Sequence, residues 1–129
     1  VRGTWDDVNR RLVGALLALD LHDALVLRAH AEAKRGLFRK APEPRRYAQV
    51  TAARTVLIAE VWPVTGDQRA ALLRAGWEEP WQDGDTALSR QTSLAGAPQL
   101  ALAVVRALQA LGTEVADVDV ALVREEPDD

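Results

Sequence analysis

Cysteine and methionine are absent from this 129-residue chain, Lys34 and Lys40 are its only lysines, and phenylalanine and tyrosine occur once each. Without a thiol the chain can form neither a disulfide nor a thiolate metal centre, which fits a reducing cytoplasm. Long apolar runs are missing too. The longest, Leu12 to Leu19, falls far short of the roughly 20 residues that cross a bilayer. The opening residues, VRGTWDD, lack the basic start and apolar stretch of a secretory signal. Positive charge is not in excess: the formal net charge of −3 argues against nucleic acid as an obligate partner.

Catalytic signatures are also lacking. No G-x-S-x-G elbow, P-loop or dinucleotide glycine pattern occurs, and nothing around Ser89 or Ser93 marks a nucleophile. His22 and His30 are the only histidines. On one strand they would stand roughly 26 Å apart, too far to share a metal. The pairs Asp6-Asp7 and Glu78-Glu79 fall at a helix start and in a loop, where carboxylates cap and solvate. The sequence therefore predicts a non-enzymatic protein with no cofactor.

What is present is a globular balance of 48% apolar and 27% charged residues. It predicts one domain over residues 1–124 and a disordered acidic tail over 125–129. The chain is organised around Arg46 to Trp81, which parses as strand, tight turn, strand, capped helix and tryptophan-flanked loop. Before it, Thr4 and Asp7 form a capping box, and Trp5, Val8, Leu12, Leu16 and Leu19 share one face of a helix over about 5–19. From Ala24 the rhythm changes to two: Leu25, Leu27, Ala29 and Ala31 alternate with Val26, Arg28, His30 and Glu32, as in a half-buried strand. Gly36, Pro42 and Pro44 break regular structure between Ala33 and Arg45.

Tyr47–Ala52 and Thr55–Trp62 read as a hairpin turning at Ala53 and Arg54, with Leu57, Ala59 and Val61 on one face and Val56, Ile58, Glu60 and Trp62 on the other. Glu60 is the charged member of an apolar row, so it is expected to pair with an arginine. Thr65 and Gln68 start a second helix that Gly76 stops. The GWEEPW loop and a strand over Ala87–Thr92 follow. Pro98 opens a last helix carrying Leu100, Val104, Leu108 and Leu111 on one face, ended by Gly112. Val118, Val120 and Leu122 then alternate with Asp117, Asp119 and Ala121 as a candidate edge strand. The fold class is thus α+β, an antiparallel β-sheet with helices packed on it, in the order α-β-β-β-α-β-α before that strand.

Two groups of side chains suggest binding. Lys34, Arg35, Arg39, Lys40, Arg45 and Arg46 surround Phe38 and Tyr47, a composition able to grip phosphates and stack bases. The plainer reading is a solvated hairpin loop paired with the acidic tail. Trp77 and Trp81 belong either to a core edge or to a binding surface.

Together, Tyr47 and Gln49 in the second strand, Glu60 in the third, Leu72 and Leu73 in the short helix, Gly76-Trp77 with Pro80, Arg90, and Leu100, Ala101 and Leu108 resemble the actinobacterial TY-Chap branch of the type III secretion chaperone and YbjN-like superfamily. The resemblance spans roughly residues 5 to 112; the basic loop and the strand-like end depart from it. It implies a small cytoplasmic domain, often a homodimer, that holds extended segments of a client polypeptide. It also points to Tyr47, Gln49, Trp62, Trp77 and Trp81 as groove-forming positions. The alternative is an anionic partner held by the basic loop.

Overall fold

The computed structural model describes residues 3–29, 45–80 and 86–124. The acidic tail, most of the basic loop and Trp81 lie outside these residues. A five-stranded, wholly antiparallel sheet carries three α-helices on one face. The strands are β1 (Ala24–Ala29), β2 (Arg46–Ala52), β3 (Val56–Val61), β4 (Leu88–Ser93) and β5 (Val118–Val123), and their spatial order is β4-β3-β2-β1-β5. The helices are α1 (Trp5–Leu17), α2 (Gly66–Arg74) and α3 (Ala97–Ala110). This is the expected α+β class and element order, with the C-terminal strand formed and placed at the sheet's edge.

Local chemistry sets the helix limits. In α1 the Thr4 hydroxyl accepts from the Asp7 amide while the Asp7 carboxylate accepts from the Thr4 amide, and Thr65 with Gln68 repeats the device on α2. Gly76 (φ +106°) and Gly112 (φ +78°) take the left-handed conformation that ends α2 and α3. The chain leaves α1 at Ala18, so the first helix stops short of Leu19. Leu19 still packs against the core from the following turn.

Alternation separates the two faces of the sheet. Leu25, Leu27, Ala48, Val50, Ala52, Leu57, Ala59, Val61, Leu88 and Val118 are buried on the helix side. They meet Val8, Leu12 and Leu16 of α1, Leu72 of α2, and Leu100, Val104 and Leu108 of α3 in one apolar cluster. Two details differ from the sequence pattern. Val26, in the outward row of β1, is buried as well, flanked across the sheet by Gln49 and Ala121. The β2–β3 turn also sits one residue later than expected. Ala53 donates to the Val56 carbonyl (2.9 Å), so Arg54 and Thr55 are its central residues. The pairing moves with it by two residues, to Ala52 opposite Leu57 and Ala48 opposite Val61, and an even shift keeps the inward rows facing each other.

α3 has the largest topological task, carrying the chain from the β4 edge to the β5 edge. Four inter-strand steps amount to about 19 Å. Its 14 residues extend about 21 Å. The helix is thus long enough for the crossing, and it packs over β4, β3 and β2.

Candidate functional site

The two sheet edges differ in chemistry. Along β4 the residues after Leu88 are Ser89, Arg90, Gln91, Thr92 and Ser93, and part of the edge is already paired: Glu78 and Ser89 exchange main-chain hydrogen bonds of 2.8 and 2.9 Å. Arg69 of α2 forms an ion pair with Glu79 and donates to the Thr86 carbonyl (3.5 Å), tying down both sides of this segment. β5 is the reverse. Among the described residues its one strand neighbour is β1, and along residues 120–123 no described strand lies on its other side. Past the buried Val118 and the half-buried Asp119 it is apolar, and three of its side chains are uncovered: Val120 is 41% exposed, Leu122 48% and Val123 46%.

A depression runs beside β5. Val8, Arg11, Leu12 and Ala15 of α1, Leu25 and Leu27 of β1, and Val120 of β5 enclose an apolar cavity of about 210 Å³. The register explains it. Val120 and Leu122 lie opposite Leu27 and Leu25, on the helix side. β5 nevertheless lies at the margin of the helix layer, which leaves these two side chains with an apolar floor and about half exposed. The strand edge at residues 120–123, beside an apolar trough, can receive an extended chain, giving hydrogen bonds along the strand and a place for every second side chain. Sequence reasoning marked Val120 and Leu122 as strand residues but missed the trough. The available signal was a terminal strand apolar in both rows, since Ala121 and Val123 alternate with Val118, Val120 and Leu122.

The residues singled out by sequence fall in three places. Tyr47, Gln49 and Trp62 come together: Trp62 donates its amide to the Tyr47 carbonyl (3.1 Å), and Gln49 is two residues along the same row of β2. By alternation with Ala48, Val50 and Val61 this row faces away from the helices. The Arg45 guanidinium lies 5.2 Å from the Tyr47 ring centre and donates to the Trp62 carbonyl (3.1 Å). Arg46 donates to Gln49 (2.9 Å), whose own amide donates to Thr51 (3.3 Å). Glu60 is half-buried in the same layer, between Gln49 and Ser89 in the register.

Trp77 is elsewhere. It is 3% exposed and belongs to the core on the helix side. Trp81 lies outside the described residues, as do Lys34, Arg35, Arg39 and Lys40. Arg45 and Arg46, the two members of the basic cluster that are described, are both engaged within the sheet. Among the described residues no set of three acidic or histidine side chains could hold a metal, and no helix is long and apolar enough to cross a membrane.

A family model described as TY-Chap3, "T3SS (YopN, CesT) and YbjN peptide-binding chaperone 3", matches residues 1–121. No curated protein and no solved structure matches the chain.

Proposed function

Because the chain belongs to the TY-Chap3 family of peptide-binding chaperones, we propose that it holds an extended client segment against the outer edge of β5 at residues 120–123, where Val120, Leu122 and Val123 are exposed. In this reading the client's helix-side residues enter the trough lined by Val8, Leu12, Leu25, Leu27 and Val120. The protein binds without transforming its ligand. It works in the cytoplasm, which suits a chain without cysteine. It acts as a homodimer, the assembly that the family resemblance implies. Tyr47, Gln49 and Trp62 supply a second contact surface on the opposite face, where a half-buried aromatic pair can stack on a client that wraps around the sheet.

The observation that carries the reading is the coincidence of exposed apolar side chains at the sheet margin, Val120, Leu122 and Val123, with an apolar cavity beside them. Edge strands are a hazard in water, and proteins ordinarily blunt them with charge, proline or a covering segment. β5 carries a single charged residue within its span, Asp119.

Hydrogen exchange of the full chain, with and without a heptapeptide of alternating valine and threonine, tests this. The amides of Val118–Val123 should exchange more slowly when the peptide is bound. Protection confined to β4, or no binding at millimolar peptide, would reject it. Sedimentation of the free and loaded chain reads the dimer separately.

A further inference from the structure

A second groove lies on the other side of the helix layer, between α2 and α3. Its cavity, about 370 Å³, has walls that include Ala71, Leu72 and Ala75 of α2, Leu102 and Ala103 of α3, and Trp77. Its polar rim is cationic: Arg90 from β4 and Arg106 from α3 both line it, with Gln99, and no carboxylate does. Arg90 is held in place. Its guanidinium donates to the Ala75 carbonyl at the end of α2 (3.0 Å) and lies across Gly76, where an added Cβ would stand 3.1 Å from Nη1. Among the described residues neither arginine has a carboxylate partner, although Arg69, Arg10 and Arg124 each have one.

From this we infer that the α2–α3 groove is a second recognition site, which takes a glutamate or aspartate side chain of a bound peptide between Arg90 and Arg106. The inference rests on the peptide-binding reading for the nature of the ligand, but not on β5. Five fixed donors on each guanidinium match the two oxygens of a carboxylate, and low-dielectric walls strengthen the pair. The small side chains Ala71, Ala75, Ala103 and Ala110 leave room for the aliphatic stem of the acid, and Trp77 and Leu102 give that stem an apolar surface. A nucleic-acid backbone would need a longer track of cations than two arginines in a short groove.

Two hexapeptides blocked at both ends, one alternating leucine with glutamate and the other leucine with glutamine, test the site by calorimetry on the full chain. The glutamate peptide should bind about tenfold more tightly, and added salt should erase that advantage. Arg106→Gln, an exposed change, should reduce the glutamate peptide to the affinity of the glutamine peptide and leave the latter unaltered. Ala103→Leu, which fills the groove, should do the same, with thermal melting confirming that both variants fold. Equal affinity for the two peptides, or a glutamate preference that survives Arg106→Gln, overturns the inference. The β5 proposal fails differently: it falls if Val120→Asp with Leu122→Asp leaves binding of the glutamine peptide intact. No binding of either peptide at millimolar concentration overturns both.

Discussion

β4 and β5 close the same sheet at opposite ends, and they differ in chemistry as edge strands. β4 has polar side chains, a main-chain bridge from Glu78, and an ion pair between Arg69 and Glu79 beside it. β5 has uncovered valine and leucine and a trough at its flank. A sheet needs no apolar edge for its own stability, and this asymmetry is what the proposed client site at β5 rests on.

The most disruptive way to break this comparison is to remove the floor that the trough shares with the core. Leu27 is completely buried, and Leu27→Ala should cost about 2–5 kcal/mol in urea unfolding. A more selective break targets the edge alone. Val120→Asp with Leu122→Asp should weaken binding of an uncharged extended peptide at least about tenfold, or about 1.4 kcal/mol by calorimetry, while Gln91→Asp with Ser93→Asp on β4 leaves it unchanged. Equal losses from the two pairs would erase the distinction between the edges.

Smaller changes sharpen it. Thr65→Ala removes the cap of α2, on the β4 side, and should lower stability by about 1 kcal/mol without altering peptide affinity. On the β5 side, the Thr4 backbone amide and then the Thr4 hydroxyl hold the Asp7 carboxyl below the usual aspartate range. A depressed folded value means that the stabilisation is complete above the ordinary aspartate value and is lost as pH falls through the folded one. Asp7→Asn should therefore flatten the acid limb of the melting temperature against pH, the slightest effect of the series.

The legibility of each region follows the range of the forces that shape it. The capping boxes at Thr4 and Thr65, the glycine stops at 76 and 112 and the inward row of β3 depend on neighbours a few residues away, and all were readable from the chain. The displaced turn at Arg54-Thr55 was not, because either turn sets the inward rows of β2 and β3 opposite each other and the turn residues carry no Asn-Gly or Asp-Gly signal to choose between them. Burial of Val26 escaped for a related reason: it depends on the strands flanking β1, which one strand's alternation does not encode. Trp77 and Trp62 are both tryptophans near strand ends, yet one is buried under the helices and the other half-exposed on the opposite face. Composition could not separate them. The trough beside β5 was least visible, since it arises from the lateral offset between a helix layer and the sheet margin, a property of packing across about 100 residues of sequence.

The pleat of β5 sets how choosy its occupant can be. A strand laid against it would turn every other side chain toward Val120 and the flank of α1, and the rest toward the face without helices. Only half of a client's positions would then be inspected, so many unrelated sequences could satisfy the same trough. Such a half-read code suits a holder of diverse unfolded segments better than a receptor for one ligand.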